Sequence, residues 1–331
     1  MSPLAIRAHI AVLAISVGAA YGVLSAPDHH ALAQTTFPDR PVKFIVPSPP
    51  GTMIDLLPRM LGEKLSMRWG RPVIVENRSG AAHNIGAETV ARAEPDGHTL
   101  LVTPPAPLVL NQWLEPKRES PATTFVPVTV LATFSQILVV NPKVPARTFE
   151  EWIAYAKANP GRMSYGSPGT GTTAQLAQEE LMRALGIRLV HVPYQGMGPA
   201  INDLLAGHID TMFAAAGTAL PHIDDGKLRP IALTGGERLA RFSGVPVISE
   251  MLPAFNHVEW FAIVAPPRTP PPTVTALWQA LSESLRSTDV QDRLQRSLLV
   301  PVGNPPAEAA AFLESERQRW RAIVEARAGR P

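Results

Sequence analysis

Short β-branched runs alternate with amphipathic stretches along almost the whole chain, and this alternation restricts it to an α/β fold. Val42–Val46 (VKFIV), Val73–Glu76 and Thr99–Thr103 read as strands. A helix between the first two carries Met53, Leu56, Leu57, Met60, Leu61 and Leu65 on one face, and Asn84–Ala93 reads as another. Pro58 inside the first helix predicts a kink or a delayed start. The longer apolar run Leu131–Asn141 leaves this unit, and a helix capped by Thr148 and Glu151 follows it. The alternation then repeats as strand 163–166, helix 172–185, strand 188–192, helix 198–206 and strands 209–213 and 228–234. Val258–Ala265 reads as a strand returning to the first unit, followed by a helix with Val274 to Leu285 and a long one with Phe312 to Ile323. Two α/β lobes with mostly parallel sheets, joined by two crossing strands around a cleft, are the expected architecture. Ligands in such sheets bind outside the carboxyl ends of the strands. That selects loops 47–52, 78–84 and 103–107, with 166–172, 193–198 and 214–219 as their counterparts.

Among these loops, Tyr165–Thr173 (YGSPGTGTT) is the most informative. Its glycines permit positive φ and close approach of the backbone to a ligand. Thr172-x-x-Gln175 has the form of a capping box, so a helix is expected to start here. The first turn of a helix offers unpaired N–H groups and the positive end of its dipole, which suits a carboxylate or phosphate. Two readings stay open at this point: an anion cradle, or a strand-to-helix turn whose donors Thr172 and Gln175 satisfy. Tyr165 and Tyr194 flank the cleft loops, where a ring could pack on a ligand or equally on the core.

The chain has 331 residues, enough for two packed domains, and its net charge of +2 comes from scattered Lys and Arg. No basic stripe with interleaved aromatics supports nucleic-acid binding. The absence of cysteine excludes disulfides, thiolate metal sites and a Cys nucleophile. Gly166-Ser167-Pro168-Gly169 lacks the spacing of a nucleophile elbow, and no loop carries a Walker-type Gly-Lys-Ser/Thr. Gly169-x-Gly171-x-x-Ala174 grazes the dinucleotide fingerprint, but no acidic residue near 190 would hold a ribose. The histidines are too dispersed for a metal site, and His83 is the one worth watching for its loop position. No catalytic constellation, cofactor or metal is expected. Residues 1–33 read as an export signal: Arg7 and His9, an apolar run Ile10–Leu24, and an A-x-A cleavage site at Ala31-Leu32-Ala33. An uncleaved anchor is the alternative, although the run is shorter than the ~20 residues of a membrane span.

The order of motifs resembles the solute receptors of tripartite tricarboxylate transporters, also called Bug receptors. The matching stretches are F-P-D-R-P-V-K-F-I-V-P-S-P-P-G (37–51), R-P-V-I-V-E-N-R (71–78), N-I-G-A (84–87) and P-D-G-H-T-L-L-V (95–102). N-P-G-R-M-S-Y-G-S-P-G-T-G-T (159–172), H-V-P-Y-Q-G (191–196) and A-L-P-H-I (219–223) continue the series. The resemblance implies a periplasmic binding protein fold of type II with two hinged lobes: residues 34–135 plus 257–331, and residues 136–256. It also implies a monomeric periplasmic receptor that does no chemistry and delivers a small carboxylate to a small and a large membrane subunit. A sensory receptor docking on a signalling protein is the alternative. The family's carboxylate loops correspond to Pro50-Gly51-Thr52 and to Ser167–Thr172, so Gly51, Ser167, Gly169, Thr170 and Thr172 carry over as cradle positions. Tyr194 carries over from the P-Y loop, and His83, Thr103 and Gly171 join the set by their loop positions.

Departures from the family pattern bear on the ligand. P-P-G-T-M-I-D stands where P-P-G-G-G/S-x-D is usual, and S-G-A-A-H-N where P-G-A-G-G-N is usual. The frequent M-F-D-N is Met212-Phe213-Ala214-Ala215, so a common carboxylate is gone, which argues against an α-amino acid. Met53 narrows the approach to the backbone and weakens the case for citrate. The expected ligand is a carboxylate with an apolar or aromatic body, held at 167–172 and packed on Met53 and Ala214.

Overall fold

The computed structural model describes residues 37–114, 121–235 and 238–328. The export signal expected over 1–33, with its cleavage site at Ala33, lies outside the described residues. The first wing begins with β1 (Val42–Val46), α1 (Met53–Trp69), β2 (Val73–Asn77), α2 (Asn84–Ala91) and β3 (Thr99–Thr103). A π-helical turn, Ala106–Leu110, runs into α3 (Asn111–Leu114) and on to the long strand β4 (Val126–Val140). The second wing holds α4 (Phe149–Ala158), β5 (Ser164–Ser167), α5 (Thr173–Leu185), β6 (Val190–Pro193), α6 (Met197–Ala206) and β7 (Thr211–Ala215). It continues with α7 (Ala216–Asp224), β8 (Arg229–Leu233) and α8 (Ile248–Met251). β9 (Val258–Ala265), α9 (Pro271–Arg286), α10 (Thr288–Arg296), β10 (Val300–Pro301) and α11 (Pro306–Ala328) complete the chain.

The main strand order is β2-β1-β3-β9-β4-β7-β5-β6. β1 is parallel to β2 and β3, and β5 is parallel to β6 and β7. The two crossing strands are antiparallel, β9 to β3 and β4, and β4 to β7. Each wing is therefore parallel, as the alternation predicts, and the link between them is not. β4 changes partners along its length: its residues up to Ser135 face β9, and Gln136–Val140 face β7 and β8.

Strand parity divides each wing's core in two. Phe44, Val46, Leu100 and Val102 pack with Leu57, Leu61 and Leu65 of α1 and Leu277 of α9. Their neighbours Ile45 and Leu101 point the other way, to Val90 of α2 and Trp320 of α11. In the second wing Leu138, Val140 and Phe213 meet Trp152 and Leu181, while Ile137, Met212 and Ala214 meet Ile201 and Leu204 of α6. Strands buried on both faces read as continuous apolar runs, which is why their positions are legible in the sequence.

The helices depart further from the sequence pattern than the strands do. α1 starts at Met53, so Pro58 does not delay it, and Pro58 is buried within the helix. Leu56 is not on the core face: it is 56% exposed, because Ile54, Leu57, Pro58, Leu61 and Leu65 form the buried stripe. Among the described residues four helices have no counterpart in the sequence pattern: the four-residue α3 and α8, and the longer α7 and α10. α7 (Ala216–Asp224) takes up most of the segment expected as loop 214–219. α10 has Val290 and Leu294 as its buried residues, too few to announce a core-facing helix.

Candidate functional site

A cavity of about 800 Å³ is lined by residues of both wings. Four helices bring their N-terminal turns to it. Thr52, Met53 and Ile54 open α1, and Thr172, Thr173 and Ala174 open α5. Gly196, Met197 and Gly198 open α6, and Ala215, Gly217 and Thr218 open α7. The first N–H groups of each helix have no intrahelical acceptor, and the dipoles bring positive potential to the same space. An anion can therefore be held here without a basic side chain at its head.

α1 and α5 start in the same way. Gly51 and Gly171 have φ of 80° and 81°, a left-handed backbone suited to glycine. Thr52 and Thr172 then take extended N-cap conformations, with φ/ψ of −77/159° and −86/154°. Each threonine hydroxyl donates three residues back, Thr52 to the Pro49 carbonyl (2.9 Å) and Thr172 to the Gly169 carbonyl (2.8 Å). Each glycine N–H donates four residues on, Gly51 to Asp55 Oδ2 (2.8 Å) and Gly171 to Gln175 Oε1 (2.7 Å). The shared pattern is Gly-Thr-x-x-(Asp/Gln), in which the Asp or Gln side chain consumes the glycine N–H and those of the next two helical residues are left for a ligand. Thr172 also accepts from the Gln175 N–H, a side-chain cap that Thr52 does not make. Both readings left open for Tyr165–Thr173 thus meet in one device: Thr172 and Gln175 satisfy the edge of the turn, and the N–H groups of Thr173 and Ala174 remain.

Asp55 is the anchor of the first cap. Its buried carboxylate also receives Arg59 Nη2 at 2.8 Å and Asn77 Nδ2 at 2.9 Å, and Asn77 in turn holds the Ser48 carbonyl. Burial pushes its pKa up, but Arg59, the Gly51 N–H and Asn77 outweigh burial and hold it below the usual carboxylate range.

Of the residues selected from sequence, Gly51, Thr52, Met53, His83 and Thr172 line the cavity together. The others lie around it. Pro50 and Thr170 are exposed, and Gly169 and Gly171 belong to the loop behind the α5 cap. Ser167 is buried, with its hydroxyl 2.7 Å from His191 Nε2. Thr103 is fully buried and donates to the Pro104 carbonyl, so Pro104 is the lining residue of that loop. Tyr194 commits its hydroxyl to Asp203 Oδ2 (2.7 Å). Ala214 faces the core and Ala215 the cavity, because Ala215 pairs with Gln136 and Ala214 with Ile137. A shift of one residue along a strand changes the face.

His83 carries a side chain to a position where the backbone is left-handed: φ is 47°, 49° and 73° at Ala81, Ala82 and His83. Its Nδ1 lies 2.7 Å from the Pro47 carbonyl, so Nδ1 bears the proton and Nε2 is left as an acceptor. Burial keeps this imidazole below its ordinary pKa, hence neutral.

The floor of the cavity was missed from sequence. Phe134 and Gln136 of β4 and Glu259 and Phe261 of β9 share one face of the sheet. Glu259 supplies an acid to the cleft, which removes the premise of the argument against amino-acid ligands. Its signal was present as a charged residue inside V-E-W-F-A-I-V-A. The walls are apolar, with Met53, Leu56, Leu57, Met60, Met197 and Leu294, and Arg293 and Arg296 stand at the α10 end. Among the described residues no group of three or more His, Asp or Glu could hold a metal ion.

Glycines mark where the wings meet. A Cβ on Gly217 would lie 2.0 Å from the Ser297 carbonyl oxygen, and one on Gly196 3.5 Å from Pro49 Cγ. One on Gly171 would lie 3.3 Å from Leu114 Cδ1 and 3.8 Å from Ala82 Cβ. The starts of α5, α6 and α7 thus approach the first wing closely around the cavity.

The family model described as the tripartite tricarboxylate transporter family receptor matches residues 57–328. Protein BugT of Bordetella pertussis is 34% identical over 292 residues, which cover 87% of this chain and 90% of that protein. MatC from Rhodopseudomonas palustris, solved with bound malate, superposes with a TM-score of 0.81 at 30% identity, over 87% of this chain and all (100%) of the other. An R. palustris protein solved with adipate gives 0.82 at 30% identity, over 87% of this chain and 97% of the other.

Proposed function

The chain belongs to the tripartite tricarboxylate transporter receptor family, a family of solute receptors rather than enzymes, and from that premise we propose that it captures a small carboxylate and delivers it to a membrane transporter. The observation that carries this reading is the matched pair of caps at α1 and α5, whose free N–H groups face one cavity. Malate and adipate in the two R. palustris proteins are carboxylates, which supports the same ligand class here. The carboxylate sits at these helix ends, and the apolar walls receive a hydrocarbon or aromatic body. Met53, Phe134, Ala215 and Phe261 are the packing surface. His83 Nε2 is an acceptor, so it serves a hydroxyl or amine on the ligand body and not the carboxylate.

The receptor works in the periplasm after cleavage near Ala33, as a monomer that docks on the small and large membrane subunits. Among the described residues no helix is long and apolar enough to cross a membrane. We take residues 34–135 with 257–331 as one lobe and 136–256 as the other, the division falling where β4 changes partners.

A thermal-shift titration of the mature protein with benzoate-like acids, adipate, malate, citrate and amino acids tests the reading. Stabilisation is expected from acids with an apolar body, ~2.7 kcal/mol at a hundred times Kd. Stabilisation by citrate or aspartate with none by aromatic acids or adipate would overturn the apolar-bodied ligand.

A further inference from the structure

Glu259 has no role in the cap geometry, yet it lies on the cavity floor, 5% exposed. It stands opposite Phe134 on β4, and Gln136 follows two residues along on the same face. Gln136 is 4% exposed, and its side-chain oxygen has no hydrogen-bond partner. The Glu259 carboxyl accepts from the hydroxyl of Thr173, the first residue of α5. It is therefore beside the helix end that offers its N–H groups to a ligand.

The charges around it are balanced elsewhere. From α11, Arg319 favours the ionised form and Glu316 opposes it, and these two are paired with each other at 2.8 Å. On α5, Glu180 is paired with His257 at 2.8 Å, just ahead of β9. β4 presents Phe134 and Gln136, neither charged. Across the cavity Arg59 is held by Asp55, Arg293 lies 3.5 Å from Glu63, His83 is neutral, and Arg296 stands at the α10 rim. Burial is the largest influence on Glu259 and pushes its pKa up to about 7.

We infer that Glu259 couples ligand capture to the uptake of one proton: when a ligand carboxylate sits at the N-terminus of α5, the Glu259 carboxyl is protonated and donates its O–H to a ligand oxygen. The inference rests on the carboxylate-receptor reading above. Two carboxylates sharing a dry site do not both ionise. An ionised Glu259 and the bare Gln136 oxygen would each oppose the ligand anion, and a proton taken from solvent turns one of them into a donor. A seated anion then raises the Glu259 pKa further, so the bound state keeps the proton at pH values where the free receptor has lost it.

Calorimetric titration with adipate and with benzoate, from pH 5.5 to 8.5 in buffers of different ionisation enthalpy, reads the linkage directly. Below the Glu259 pKa, affinity is expected to be flat with little proton uptake. Above it, affinity falls about tenfold per pH unit and about one proton is taken up per ligand. Glu259→Gln, whose amide donates at every pH, flattens the profile. Tight binding of either acid with no proton uptake, or the same slope in Glu259→Gln, overturns the proton linkage and leaves the receptor reading standing. Binding of neither acid at any pH overturns both.

Discussion

Gly217→Ala is expected to lower ligand affinity about a hundredfold while leaving the fold intact. Gly217 is the second residue of α7, and an added Cβ would meet backbone atoms of Ser297, the carbonyl oxygen at 2.0 Å and the carbon at 2.7 Å. Backbone cannot rotate away as the end of a side chain can, so α7 must stand off from the first wing. Within its own helix alanine is the better residue by ~1 kcal/mol, and unfolding in urea should not suffer. The closed arrangement that places both wings on the ligand becomes a minor state, and apparent affinity falls with its population. A hundredfold loss corresponds to ~2.7 kcal/mol, a modest requirement for displacing two packed surfaces. Calorimetry paired with a urea denaturation curve separates the two effects. Unchanged affinity would mean that the contact between Gly217 and Ser297 plays no part in capture.

Asp55→Ala should be the most damaging substitution at the first cap. It removes the acceptor of the Gly51 N–H, of Arg59 and of Asn77 at once. Leaving such partners unpaired costs about 3 kcal/mol, reduced from a fully buried pair because Arg59 is 44% exposed. The unfolding temperature is expected to fall by roughly 5–10 °C. Asp55→Asn, which keeps one acceptor oxygen, should fall about half as far. The pH dependence has a definite sign. Because the native pKa is held below the unfolded value, the carboxylate contributes stability above pH ~4 that is lost as pH falls through the native pKa. Wild type and Asp55→Ala should therefore converge in stability on acidification. Equal unfolding temperatures at pH 7 would show that the Asp55 network does not hold the loop.

Much of the scaffold was legible because its strands are apolar on both faces. β1, β3 and β9 fall where VKFIV, TLLVT and VEWFAIVA place them. α7 was not, since the alternation of small residues with Gly217 and Pro221 has no apolar period, and the contacts with Ser297 and Met53 come from distant parts of the chain. The Thr172 cap could be read from Thr-x-x-Gln, whereas its partner was disguised. An aspartate near a helix start is ordinarily explained by the dipole, and only the bond from the Gly51 N–H reveals Asp55 as the equivalent of Gln175. Ala214 was misplaced by one residue because strand parity follows from pairing with β4, which local sequence does not specify. Glu259 was passed over for a related reason: its strand reads as buried core, and only the register opposite Phe134 brings it to the cavity.

The backbone N–H groups of α1 and α5 can be removed one at a time. Proline is tolerated at the first helical position, and it requires an extended residue before it, which Thr52 and Thr172 already are. Met53→Pro and Thr173→Pro therefore delete one donor each without breaking a helix, and Met53→Ala and Thr173→Ala control for the lost side chains. The decisive measurement is the affinity of each proline variant relative to its alanine control, for the acid that most stabilises the wild type. A further loss of ~10- to 100-fold on both helices is the expected result, the size of one charge-assisted hydrogen bond. Equal affinity in proline and alanine variants would contradict the clamp and leave both turns as helix caps alone.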